Sequence, residues 1–215
     1  MRHTRRQSLF AIATTAVFLS ALAATLPKSA WADTVSQVEL MQPGPLGDES
    51  LGAANAPVTI IEYASMTCSH CAHFDELTLP KLKEKYIDTG RVRFIFREFP
   101  FDPVAAGAFM LARCAGPGKF FPMIELLFRT QQTWAVDHPL QPMLATVRQA
   151  GFTEDSFKAC LANQKVLDGI EWVRARGADK FKIDATPTFF VNGERVNGAV
   201  SFEEMEKVIR PYLKG

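Results

Sequence analysis

A run of β-branched and aromatic residues, Val58-Thr59-Ile60-Ile61-Glu62-Tyr63, gives way within a few positions to Cys68-Ser69-His70-Cys71. The run reads as a strand buried on both faces. Beyond the cysteines, Phe74, Leu77, Leu82 and Tyr86 recur at roughly helical spacing as far as Gly90, with Pro80 expected to kink the helix. A Cys-x-x-Cys pair at a strand-to-helix junction leaves few folds open. It sets Cys68 where backbone N–H groups are unpaired and the peptide dipole is positive.

Those conditions favour a thiolate over a thiol. Cys68 is therefore read as the nucleophile, Cys71, one turn on and shielded, as the resolving thiol, and His70 as a nearby donor or cation. A free thiol with a pKa of ~8.5 is only about 3% ionised at pH 7, and each unit of change corresponds to ~1.4 kcal/mol. The dipole supplies ~0.3 to 1 kcal/mol, or ~2 when partly buried, so direct hydrogen bonds to sulfur must do the rest. A pKa of ~4 would favour the dithiol by ~4 kcal/mol, roughly 90 mV, and make a strong oxidant, whereas ~6.5 would give roughly 17 mV.

Two other readings of the pair are a structural disulfide and a zinc site completed by His70 and His73. Neighbouring positions on one helix cannot all converge on a tetrahedral ion, and Cys114 and Cys160 lie far away in sequence. Thiol-disulfide exchange is the expected chemistry, with no metal and no cofactor beyond the Cys68-Cys71 disulfide itself.

Arg2, His3, Arg5 and Arg6 precede an apolar run from Leu9 to Leu26, and Ala30-Trp31-Ala32 follows before Asp33. This reads as a secretory signal peptide over 1–32 with a small-residue cleavage site, the alternative being an uncleaved anchor. Its removal leaves 20 basic and 23 acidic residues, a net charge of −3. Nothing in that balance suggests nucleic-acid binding. Export implies an oxidising compartment, and the expected location is the periplasm.

The remaining residues are enough for one domain with a substantial core. Residues 33–56, rich in Pro and Gly, read as a mobile lead-in, with room for a short strand around Ser50-Leu51. Arg91 to Phe99 reads as a second strand, completing a strand-helix-strand unit. Asp102-Pro103 reads as a helix cap with Pro in the first turn. Apolar runs at 110–111, 120–128, 143–147 and 157–161 predict further helices, and 101–182 is far longer than a parallel crossover needs, so a helical subdomain is inserted there. Thr188 to Val191 predicts another strand, Asn192-Gly193 a hairpin turn, and Ser201 with Glu204 the capping box of a last helix.

Cys114 and Cys160 both fall in the insertion. Their even count and an oxidising compartment suggest a second, structural disulfide joining two insertion helices; the alternative is two buried free thiols.

This order of elements, with Cys68-Ser69-His70-Cys71 and Ala185-Thr186-Pro187 before the hairpin, resembles the thioredoxin fold, and specifically the DsbA family of exported disulfide oxidoreductases. The resemblance runs from about Ala56 to the end. It implies an α/β fold formed by 57–100 and 183–215, a cis Pro187 facing the disulfide, and a Thr186 backbone that pairs with an extended substrate, so that Ser69, Thr186 and Pro187 meet the substrate. Ser69 stands where family oxidases often carry proline, and Thr186 where a bulkier residue is sometimes found. Glu62 matches the family's buried acid near the resolving cysteine and could take the Cys71 proton. The alternative is a Glu62 satisfied by Arg97 on the next strand. Asp75 occupies another acidic position of the family pattern.

The expected function is that of a monomeric oxidase that introduces disulfides into reduced exported proteins, and the resemblance implies reoxidation by a DsbB-like membrane quinone reductase. A disulfide reductase or isomerase is the first alternative, although the short lead-in leaves little room for an isomerase's dimerisation domain. A metal-binding or chaperone module without turnover is the second.

Overall fold

The computed structural model describes residues 36–213; the expected signal peptide over 1–32 lies outside them. In chain order the elements are α1 (Gln37–Leu40), β1 (Glu49–Leu51), β2 (Val58–Ala64), α2 (Ser69–Leu77), α3 (Leu79–Leu82), β3 (Val92–Glu98) and α4 (Pro103–Cys114). There follow α5 (Phe120–Arg129), α6 (Gln131–Trp134), α7 (Leu140–Arg148), α8 (Glu154–Leu161), α9 (Gln164–Phe181), β4 (Thr188–Val191), β5 (Glu194–Asn197) and α10 (Phe202–Ile209). The strands form one sheet in the order β1-β3-β2-β4-β5. β2 and β3 are parallel, and the other neighbours are antiparallel.

Side chains alternate across this sheet and meet two separate apolar layers. Ile60, Ala64, Phe94, Phe96 and Phe189 face a large cluster built with Phe74 of α2, the inserted helices α4 to α8 and Met205 and Ile209 of α10. Ile61, Tyr63, Ile95 and Phe190 face a smaller one closed by Leu40 of α1 and Val173 and Phe181 of α9. The second half of α9 therefore serves the sheet directly, although it lies within the expected insertion. The hairpin between β4 and β5 turns through Asn192 and Gly193, both at positive φ, as expected of that pair. Asn192 also accepts a hydrogen bond from the Thr59 backbone N–H at 2.8 Å, fastening the turn to β2.

The segment between the two parallel strands is broken rather than merely kinked. α2 ends at Thr78, α3 begins at Leu79 with Pro80 in its first turn, and a π-helical turn over Lys83–Ile87 completes the path. Proline lacks the N–H that an interior helical position needs, so the chain restarts there. Leu77, expected on the apolar stripe, is about half exposed as a result.

Residues 36–56 are built into the fold, in contrast to the mobile lead-in expected over 33–56. β1 pairs with β3 from Glu49 to Leu51, and Leu40 is buried. Between them the chain lies so close to α9 that a Cβ on Gly44 would sit 2.5 Å from Val173, and one on Gly169 would sit 2.4 Å from Leu46. Asp48 explains why this path is fixed. Its carboxylate accepts from Nε and Nη2 of Arg97 at 3.0 and 2.9 Å, while the same buried guanidinium donates to the Tyr63 hydroxyl and the Gln42 carbonyl. Composition alone, dominated by Pro and Gly, could not show that one aspartate has a buried partner.

A buried cation deprived of its partner is costly. Asp48→Ala is expected to lower stability by about 3 to 5 kcal/mol in urea unfolding of the oxidised protein. A loss below about 1 kcal/mol, the range of surface pairs, would show that this ion pair does not hold the segment.

Candidate active site

β2 delivers the chain to the end of the sheet where the parallel strands finish, and a tight turn carries it into α2. The Cys68 N–H donates to the Ser65 carbonyl at 3.1 Å, and Cys68 is the N-cap of α2 in an extended backbone conformation. Its carbonyl accepts the first helical bond, from the Ala72 N–H, while its side chain faces the unpaired N–H groups of the first turn. Cys71 lies one turn on and is fully buried; both thiols are free.

The loop before Cys68 is held from two sides. Thr67 Oγ1 donates to Asp102 Oδ2 at 2.6 Å, and Asp102 Oδ1 accepts from the Ala105 N–H as the cap of α4. From the inserted helices, Nε2 of Gln131 donates to the Met66 carbonyl at 2.7 Å and to the Cys68 carbonyl at 3.1 Å. Opposite the sulfur is the Thr186-Pro187 peptide, which is cis; its Thr186 carbonyl lies 3.3 Å from Cys68 Sγ and accepts a hydrogen bond when that thiol is protonated.

These contacts separate the two thiols sharply. A hydrogen bond from the Cys71 thiol does most to lower the Cys68 pKa to about 5; burial opposes it, and the Thr186 side chain and the backbone N–H groups of Cys71 and His70 add to it. The Thr186 hydroxyl is buried and has no hydrogen-bond partner among the described residues. Burial, the hydrogen bond to Cys68 and the nearby Glu62 and Cys68 charges push Cys71 well above the ordinary thiol range. One sulfur is thus a thiolate at neutral pH and the other a thiol.

Glu62 is buried on the Cys71 side of the sheet, and burial, then the charges of Asp75 and Cys68, raise its carboxyl well above the usual range. The alternative partner, Arg97, is on the wrong face. Glu62 stands opposite Phe96, and Arg97 stands opposite Tyr63, whose hydroxyl it bonds. Asp75 of α2 is raised to about 7, first by burial and then by Glu125 and Glu76, which makes it a second protonatable carboxyl beside Glu62 of β2.

The expectations for the other positions divide. Ser69 and His70 are both exposed on the first turn of α2. His70 reaches Cys68 through its backbone N–H, and its ring takes part in none of the hydrogen bonds found among the described residues. Among those residues, no group of three or more His, Cys, Asp or Glu side chains is placed to hold a metal ion. Cys114 and Cys160 are joined in a disulfide between the end of α4 and α8, within the insertion, with Cα atoms 6.1 Å apart. Gln131 was not singled out in the sequence: in Thr130-Gln131-Gln132-Thr133 nothing distinguishes it from its neighbour, and only its buried position does. A cleft of about 600 Å³ opens from Asp102 along α4, lined by apolar residues including Phe101, Met110 and Leu140.

A family model described as thioredoxin matches residues 46–210. A protein-disulfide oxidoreductase of Rickettsia bellii is 32% identical over 148 residues, which are 68% of this chain and 57% of that protein. The chain thus spans little more than half the length of this curated relative. Among solved structures, alpha-DsbA1 of Wolbachia pipientis is 31% identical with a TM-score of 0.76, over 83% of this chain and 96% of that one. BdbD of Bacillus subtilis, in its oxidised form, is 25% identical with a TM-score of 0.69, over 81% of this chain and 97% of that one.

The Cys68 pKa has a direct consequence for stability. A thiol whose folded pKa of about 5 lies below its unfolded value of about 8.5 stabilises the reduced fold fully above the unfolded pKa, and that contribution is lost as pH falls through the folded one. The melting temperature of the reduced form, relative to the oxidised form, is therefore expected to fall as pH is lowered from about 8.5 to 5. Ultraviolet absorbance of the thiolate should titrate with a midpoint of about 5. A difference between the two forms that does not change over this range would contradict the assignment.

Proposed function

The chain belongs to the DsbA family of the thioredoxin fold, and from that membership we propose that it donates disulfides to reduced, exported proteins in the periplasm. The observation that carries this reading is the split between the two thiols, with Cys68 held at about 5 and Cys71 well above the ordinary range. Stabilising the thiolate stabilises the dithiol, and a protein whose dithiol is stable gives up its disulfide readily.

The exchange proceeds in two displacements. A substrate thiolate attacks Cys68 Sγ, the Cys68-Cys71 bond breaks, and Cys71 leaves with the electron pair. Its high pKa means that it needs a proton, which the neutral Glu62 carboxyl can provide from its buried position. A second substrate thiolate then attacks the substrate sulfur of the mixed disulfide and expels Cys68. The low pKa makes Cys68 a good leaving group. The substrate loses two electrons and gains a disulfide, and the protein holds the same two electrons as its dithiol.

In this reading the backbone at Thr186 and Pro187 and the exposed Ser69 form the surface against which an extended substrate lies. The protein acts as a monomer, needs no cofactor beyond its own disulfide, and is reoxidised by a DsbB-like membrane quinone reductase. A reductase would need Cys68 to be a poorer leaving group than a pKa of about 5 makes it.

Stoichiometric oxidation of a reduced two-cysteine peptide by the pre-oxidised protein tests this. The wild type should convert the peptide to its disulfide, and Cys68→Ser should not. Peptide that stays reduced beside the oxidised wild-type protein would overturn the reading. Glu62→Gln should retain the product but slow the first displacement at pH 7 by about a hundredfold, the usual contribution of a positioned acid or base. An unchanged rate would remove Glu62 from the mechanism.

A further inference from the structure

We infer that Gln131 is a positioning residue, through which the inserted helices fix the turn that presents Cys68. The two N–H groups on Nε2 of Gln131 go to two carbonyls of that turn, Met66 at 2.7 Å and Cys68 at 3.1 Å. Met66 is fully buried, and Gln131 is 4% exposed, so water cannot replace the bond to the Met66 carbonyl without opening the core.

The Cys68 carbonyl carries a second load. As the N-cap carbonyl it already accepts from the Ala72 N–H at 3.2 Å, so Gln131 holds the peptide that orients the first turn of α2. The hydrogen bonds that select the Cys68 thiolate come from this turn, from Cys71 and from the backbone N–H groups of His70 and Cys71. A small rotation of the Cys68 peptide would misalign all of them together.

Gln131 is itself firmly placed. Three residues on, and so on the same side of the short α6, Trp134 is fully buried and its indole N–H donates to the Leu127 carbonyl at 2.8 Å. Thr130, just before Gln131, donates from its hydroxyl to the Leu126 carbonyl at 2.7 Å. Both bonds tie α6 to the end of α5, whose Met123, Ile124 and Leu127 sit in the larger apolar cluster. The insertion therefore reaches the redox loop through two side chains, Gln131 from α6 and Asp102 from the cap of α4 by way of Thr67.

The inference rests on the disulfide-donor reading for its kinetic consequence, but its structural core can be tested independently. In the full chain, Gln131→Met keeps length and apolar bulk and removes both donors. It should raise the midpoint of the Cys68 thiolate titration and slow peptide oxidation at pH 7 by about ten- to a hundredfold, the penalty of a misplaced reacting group. Gln131→Glu has the same shape, yet its ionised carboxylate would face two carbonyl oxygens. Its rate relative to wild type should worsen as pH rises through the titration of that carboxyl, a profile that loss of packing would not produce. Wild-type titration and rates in both variants would overturn the inference.

Should neither variant fold, NMR of the wild-type protein decides. The Gln131 side-chain amide protons should exchange slowly with solvent, and exchange at the rate of a free glutamine would overturn the inference. A wild-type protein that fails to oxidise the peptide would sink the donor reading, while the thiolate titration in the variants would still judge Gln131.

Discussion

The placement of Cys68 at the start of α2, with Cys71 buried one turn on, is the constraint on which the rest depends. It requires one sulfur to be buried and the other to be reached by backbone N–H groups, and a helix start beneath a sheet end supplies both. Much of the surrounding structure serves that placement. β2 and β3 form the rigid base, the cis Thr186-Pro187 peptide faces the sulfur, and Asp102 and Gln131 fasten the loop from opposite elements.

The sheet keeps its two chemistries apart by simple alternation. On β2, Glu62 faces the redox pair, while the next residue, Tyr63, faces Arg97 and the N-terminal segment. A buried acid without a cation beside it is driven toward its neutral form, and a buried cation is tolerable where a carboxylate and further acceptors surround it. Glu62 is of the first kind and Arg97 of the second. Were both on one face, they would neutralise each other, and Cys71 would have no protonated neighbour to draw on.

The parts of this arrangement that follow local rules were legible in the sequence. The apolar strand before Cys68, the Asp102 cap with Pro103 behind it, the Asn192-Gly193 turn and the Ser201-Glu204 capping box all form as residue type and spacing predict. What escaped depends on distant pairing. By residue type Asp48 is one more polar residue in a Pro- and Gly-rich stretch, and only Arg97, 49 positions on, gives it a role. Gln131 and Thr67 have no pattern of their own and gain meaning from the carbonyls and the carboxylate they meet. His70, expected as a nearby donor or cation, contributes its backbone N–H to the Cys68 sulfur.

The central claim is that this fold stabilises the Cys68 thiolate strongly enough to make its disulfide an oxidant, and the equilibrium reduction potential of Cys68-Cys71 in glutathione buffers at pH 7 tests it most directly. The account predicts a value more positive than about −180 mV, beyond that of a disulfide isomerase. A value near −270 mV, that of a thioredoxin-like reductant, would contradict it.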